Sequence, residues 1–312
     1  MDIPKKMHSW YNLLMRAVPM YTRITFYLLF SPFLLYLQAQ PGSKNYPVQF
    51  NQFTNSYPVI NPASIGIHDR NEVFMGYQKP VSGFSGVSTY FCNLNFTPRL
   101  KKEALENRSV FGLRFLNDNE GAYINRMRFY GMYAFHTRIG SRLKISGGLE
   151  LGGMNFSVKS TPTTGGASVF KMDANAGIWL YNNDFHVGFS VNQLFNSKVQ
   201  PLDEQSTLAT HINFSGSVTL IRNRIMEFTP HLLLTVPYYS DFSIRTNLCA
   251  LFYSRFITTI GWEPGYNISL MLGIRDINIS SNKLSLVLSY TASTRKAALA
   301  VNYLEVSLGY AL

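Results

Sequence analysis

Residues 184–194, DFHVGFSVNQL, alternate with period two: Phe185, Val187, Phe189 and Val191 share one face, and His186, Gly188, Ser190 and Asn192 share the other. That period belongs to a strand whose two faces meet different surroundings. Residues 210–220 repeat it, with Ile212, Phe214, Val218 and Leu220 opposite His211, Asn213, Ser215, Ser217 and Thr219. So do residues 283–291 (Leu284, Leu286, Leu288, Tyr290 against Lys283, Ser285, Ser289, Thr291) and 302–312 (Leu304, Val306, Leu308, Tyr310, Leu312 against Tyr303, Glu305, Ser307, Gly309, Ala311). Read this way throughout, the chain offers about fourteen candidate strands, near 70–79, 86–97, 108–118, 121–136, 142–157, 171–181, 184–194, 207–221, 225–236, 241–253, 255–263, 266–276, 283–292 and 302–312.

Alternation alone also fits a soluble β-sandwich. Composition decides between the two. Charged residues are only 14% of the chain, against roughly 25% in soluble domains. The polar face is mostly Gly, Ser, Asn and Thr, while the other is Phe, Leu, Ile and Val. Aromatic residues reach 14%, with 23 Phe and 19 Tyr, as interfacial girdles require. Outside the leader no stretch approaches the roughly 18 to 20 apolar residues a spanning helix needs. The expectation is an all-β fold: a transmembrane antiparallel up-and-down β-barrel of about fourteen strands over 70–312, in the cell outer membrane and in contact with its lipid. A short segment, 40–69, precedes it, as a periplasmic or plug segment. Tight turns such as Tyr181-Asn182-Asn183-Asp184, Ile221-Arg222-Asn223-Arg224 and Tyr253-Ser254-Arg255 fall on the expected periplasmic side. Long connections at 158–170 and 195–206 fall on the outer side, and the charged 98–107 connection breaks the pattern.

Residues 24–37, ITFYLLFSPFLLYL, follow Arg23 and precede Leu37-Gln38-Ala39. Their order of basic, apolar and small residues reads as a cleavable signal peptide over 1–39. The chain carries a net charge of +11. Its basic residues are scattered without a dense run, so no nucleic-acid partner is expected.

In the barrel phase, Arg114, Arg126, Arg128, Lys144, Arg245 and Arg275 point inward together with Glu150, Asp173 and Glu305. Such charges either pair across the lumen and rigidify the barrel, which is the preferred reading, or line a passive porin with a basic, anion-preferring lumen. His186, His211 and His231 also face inward on successive strands. Hairpin geometry sets His211 about 5 residues, roughly 17 Å, from His231 at about 3.3 Å per residue, so lumen hydrogen bonding is preferred to a metal site. Cys92 and Cys249 read as small hydrophobes facing lipid or neighbours. Asp118 and Glu120 read as solvated carboxylates of a short loop. No phosphate loop, nucleophile elbow or Cys/His metal spacing is present, so neither enzymatic activity nor a cofactor is expected. An outer-membrane hydrolase would still need Ser, His and an acid gathered at one barrel rim, from separate strands and without a local motif.

Several stretches resemble the PorP/SprF family of outer-membrane proteins associated with type IX secretion. Asn61-Pro62-Ala63-Ser64-Ile65-Gly66, after Gln52-Phe53-Thr54-Asn55, is similar to the family's NPA-x-x-G. Residues 177–194, with Gly188, Ser190 and Asn192, resemble its Gly-x-Ser-x-Asn hairpin, 230–236 (PHLLLTV) its Pro-led strand, and 304–310 (LEVSLGY) its closing strand. The sequence departs at Tyr77-Gln78-Lys79-Pro80, where family members often carry Gln-Trp, and at Leu312, where barrels of this kind often end in Phe. The resemblance implies a helper rather than a catalyst, supporting secretion or surface attachment of a partner protein, with secretion-machinery components or an exported cargo protein as its contacts. From its residues, Asn61-Pro62 reads as a turn. A turn alone is preferred for it over a plug in the lumen or a docking surface beneath the barrel.

Overall fold

The computed structural model describes residues 43–45, 50–81, 85–98, 107–161, 165–200, 206–238, 241–265, 267–294 and 301–312. The leader 1–39 lies outside the described residues, as do most of the 98–107 connection and parts of the 158–170 and 195–206 connections.

Fourteen strands form one closed antiparallel sheet. They are β1 Glu72–Pro80, β2 Ser88–Phe96, β3 Asn107–Glu120, β4 Ile124–Ile139, β5 Leu143–Val158, β6 Ala167–Tyr181, β7 Phe185–Asn192, β8 His211–Val218, β9 Met226–Tyr238, β10 Asp241–Phe252, β11 Phe256–Glu263, β12 Asn267–Ile279, β13 Asn282–Ser293 and β14 Tyr303–Ala311. Each pairs with its sequence neighbours, and β14 closes on β1 through Glu305↔Gln78 and Ser307↔Gly76. Closure matters because a sheet edge in hydrocarbon would leave main-chain groups unsatisfied. All fourteen expected segments are strands. The expected long connection 158–170 is shorter, because β6 already begins at Ala167 and pairs there with Val158.

The two faces separate as the alternation predicted. On β7, His186, Gly188, Ser190 and Asn192 are buried inside, while Val187 is exposed outside. Leu149, Leu151, Phe129 and Leu288 stand on the outer face, each exposed. Leu149, near the middle of β5, is 62% exposed. Leu149→Arg is therefore expected to destabilise the barrel by about 2–4 kcal/mol, the midplane cost of a cation on a lipid face. Urea unfolding in lipid vesicles would measure it, and a change under 0.5 kcal/mol, about the effect of an ordinary surface substitution, would mean that this face does not meet hydrocarbon.

Turns at the end holding Leu312 are mostly tight: 140–142, 182–184, 253–255 and 280–281. Asn182 and Asn223 shape two of the turns here, each side-chain oxygen accepting backbone N–H bonds two and three residues on. Short turns mark the periplasmic face. At the opposite end the 193–210 connection builds a three-stranded sheet of its own. Lys198–Val199 pairs antiparallel with Ser206–Leu208, which pairs parallel with Ser43–Asn45. Three outer connections, 121–123, 239–240 and 264–266, are as short as the inner ones.

Candidate functional site: a threaded lumen plug

The interior is filled by the chain's own residues 50–69. This segment makes three short 3-10 turns, Phe53–Asn55, Tyr57–Val59 and Pro62–Ser64. Phe53, Tyr57, Ile60 and Ala63 pack against Trp179, Tyr181 and Leu233 of the wall. Ile65 packs separately on Val110, Met132 and Ala134. Fully burying one such apolar side chain contributes about 1.5–3 kcal/mol.

Polar side chains of the wall hold the plug chiefly by its main chain. Arg114 donates to the carbonyls of Pro58 and Val59, at 3.2 and 2.9 Å. The Ile60 carbonyl accepts from Ser190 at 2.6 Å and Asn213 at 3.1 Å. Ser146 donates to Ala63, His136 Nε2 meets the Ile65 carbonyl, and Arg108 donates to Gly66. Arg245 reaches the Phe50 carbonyl at 3.3 Å and Asn247 that of Asn51 at 3.0 Å. The Glu305 carboxylate accepts the N–H groups of Asn51 and Gln52 at 2.9 and 3.2 Å, and Gln78 at 2.7 Å. A segment without strand or helix partners would otherwise bury unsatisfied amides, each costing about 1–3 kcal/mol.

The Asn61-Pro62 turn is the tightest seat. Asn61 is extended, as a residue before proline should be, and its Oδ1 accepts from Ala63 N at 2.9 Å. Its amide donates to the carbonyls of Ile178 and Phe189, both at 3.1 Å, and those two residues are cross-strand partners on β6 and β7. Beneath the turn lie Gly148 and Gly177, themselves partners on β5 and β6. A Cβ on Gly148 would sit 2.3 Å from Ala63 N, and one on Gly177 2.1 Å from Asn61 Oδ1. Only glycine lets the turn come so close. The expectation of a turn alone is corrected: the turn exists, and it docks the plug.

The two family-like motifs thus meet. Gly188 leaves room for the Trp179 ring, Ser190 holds Ile60, and Asn192 donates to Ser190 at 3.2 Å. Gly66 takes φ +75, where a side chain would be strained. Gly148, Gly177, Ser146 and His136 were not singled out from sequence. The signal available was inward-phase glycine inside a strand, which marks close approach of another backbone.

The inward charges do not simply pair across an empty lumen. Arg114 meets Glu150 at 2.9 Å, with Asn175 donating to the same carboxylate oxygen at 2.6 Å. Asp173 accepts from the Tyr130 hydroxyl at 2.8 Å, close to buried Arg128. Arg245 lies 3.5 Å from Glu263. Arg126 pairs with Glu120 near the outer end, under the ring of Phe156. Lys144 pairs with Asp69 at 3.1 Å and Arg275 with Asp276 at 3.5 Å, both near the periplasmic mouth. Asp118 and Glu120 lie on β3, not in a loop, and Asp118 is buried, accepting from Thr89 at 2.8 Å. The open, anion-preferring lumen is therefore corrected: Arg114 and Arg245 are spent on the plug and its supports. Below the plug a vestibule of ≈ 630 Å³ opens at the periplasmic end, with Tyr57, His186 and His231 at its floor.

His211 and His231 separate as hairpin register required, whereas the rings of His186 and His231 lie 6.1 Å apart. His231 pairs with Ser217, and His211 with Asn192. His231 Nδ1 meets the Tyr57 hydroxyl at 2.7 Å, His186 Nδ1 meets Ser217 at 2.6 Å, and His211 Nδ1 contacts the Ala209 carbonyl at 3.0 Å. Cys92 is on the lipid side, while Cys249 faces the vestibule.

Residues 42–310 match the family model described as type IX secretion system membrane protein PorP/SprF. The chain belongs to the PorP/SprF family. It is an outer-membrane β-barrel associated with type IX secretion. No curated protein matches the PorP/SprF chain in sequence. Among solved structures it is similar to the toluene transporter TodX of Pseudomonas putida, at 9% identity over 88% of this chain and 96% of that one, with TM-score 0.52. It is also similar to the toluene transporter TbuX of Ralstonia pickettii, at 8% identity over 88% and 95%, with TM-score 0.53. At such identities the likeness shows the barrel fold alone.

Proposed function

We propose that this PorP/SprF barrel acts as a plugged, non-catalytic helper that supports secretion or surface attachment of a particular exported protein. The observation that carries this reading is the filled lumen. With residues 50–69 bonded to the wall along their main chain, the barrel offers its rims, rather than a pore, to other molecules. The outer 193–210 connection, with its own small sheet, and the 159–166 connection are the surfaces where the exported partner meets it. The periplasmic vestibule faces the secretion machinery.

Quantitative proteomics of surface and secreted fractions tests this, comparing a clean deletion with the complemented parent and with a variant lacking residues 160–165. The expected result is loss of one or a few exported proteins from the surface, by tenfold or more, in the deletion and in the loop variant. Loss of every such cargo would instead make the chain a core part of the machine. Unchanged fractions would end the secretion-helper reading.

A further inference from the structure

The plug has a direction, and the wall strands act as a ruler for it. Strand β3 runs from the periplasmic end at Asn107 to the outer end at Glu120. Phe50 packs on Leu116, Val59 accepts from Arg114, and Gly66 accepts from Arg108. As the plug residue number rises, the β3 contact moves steadily toward the periplasm. Other strands agree. On β14, whose outer end is Tyr303, residues 51 and 52 meet Glu305. On β5, whose inner end is Leu143, Ala63 meets Ser146 and Asp69 meets Lys144. Arg70 then pairs with Asp276 beside β1. Phe50 thus lies on the outer side of the lumen, on Leu116. Ser43–Asn45 lies at the outer end too, paired parallel with Ser206–Leu208 of the 193–210 connection.

We infer that the plug is threaded from the cell surface to the periplasm, so that the strand Ser43–Asn45 is displayed at the outer mouth of the barrel. This threading makes the segment at Ser43 an outward-facing element, held to an outer loop by a backbone ladder. The inference rests on the strand register and on the short-turn face, not on the secretion reading, so either can fail without the other.

Cysteine accessibility tests it. In a Cys92→Ala, Cys249→Ala parent, single cysteines are placed by Ser43→Cys, Lys44→Cys, Gly165→Cys and Ser281→Cys. Ser43 and Lys44 are adjacent in a strand, where successive positions alternate between its two faces, so both positions are tested. Gly165 lies in an outer connection and Ser281 in a periplasmic turn. Intact cells are treated with a membrane-impermeant maleimide, and total thiol is read after lysis and denaturation, with heat-modifiable migration confirming a folded barrel. The expected result is labelling of position 43 or 44 comparable to position 165, and at least about tenfold above position 281. Labelling at 165 alone overturns the proposal. Labelling at 281 with 165 silent overturns it too, by reversing the barrel.

Discussion

Replacing Gly148 with valine is expected to drive the plug from its seat and open the barrel. The first atom added already collides with main chain: 2.3 Å from Ala63 N and 2.4 Å from its Cα. Neither contact is the far end of a flexible side chain that can step aside. Overpacking a filled interior costs about 1–3 kcal/mol. Displacing the turn also breaks the bonds of Asn61 to Ile178 and Phe189, and of Ser146 to Ala63, each worth about 0.5–1.5 kcal/mol net. Together these come to about 2.5–7.5 kcal/mol, a large part of the roughly 5–15 kcal/mol margin of a whole domain, so displacement of a locally held segment is the expected outcome. In planar bilayers the parent should stay near baseline, while Gly148→Val shows steady conductance. Cells carrying it should become more sensitive to large hydrophilic antibiotics. The control sits one residue away. Gly147 faces outward with nothing near its Cβ position, so Gly147→Val should leave the barrel sealed. Equal conductance for the two variants would show that the turn does not seal the lumen.

The second large effect is expected at Arg114. Its guanidinium lies between two plug carbonyls and Glu150, over the ring of Tyr130 at 4.8 Å. Both charges are buried. Arg114→Met leaves the Glu150 carboxylate inside without its cation and should cost about 3–5 kcal/mol. Removing both charges, in Arg114→Met with Glu150→Met, should recover much of that loss, because no uncompensated ion then remains. Urea unfolding in lipid vesicles, followed by tryptophan fluorescence, gives both values. If the double variant is as unstable as the single one, the pair matters for its contacts to the plug rather than for charge balance.

The barrel was legible because each strand repeats one instruction. Val187, Phe189 and Val191 mark the lipid side whatever lies elsewhere, and Asn182 marks the turn. The phase of Arg114, Arg245 and Glu305 was legible for the same reason. Their partners were not. Periodicity states that a side chain points inward, and it says nothing about which main-chain group meets it there. Residues 50–69 have no repeat, and their polar satisfaction comes from strands all around the wall, so their docking leaves no local pattern. Asn61-Pro62 announced a turn, but the floor beneath it is written far away, at Gly148 and Gly177. Local turn chemistry also hid the start of β6 at Ala167, because the Gly, Ser and Thr before it suit a loop and a lumen-facing strand equally well.

Recognition inside the barrel is lopsided. Ser146, Ser190, Asn213, Asn247 and Arg245 grip amide oxygens that every residue type possesses, and Glu305 accepts amide hydrogens that nearly every residue type supplies. The wall is therefore tuned to the path of a backbone and is largely indifferent to its spelling. Drift at Thr54 or Asn55 can proceed without a matching change across the lumen, whereas a single exchange at Ser190 disturbs a contact that no alternative plug residue could restore. Variation in such proteins should accordingly accumulate at the plug positions that bond only through their main chain, and spare Asn61 with its turn and the polar row around it.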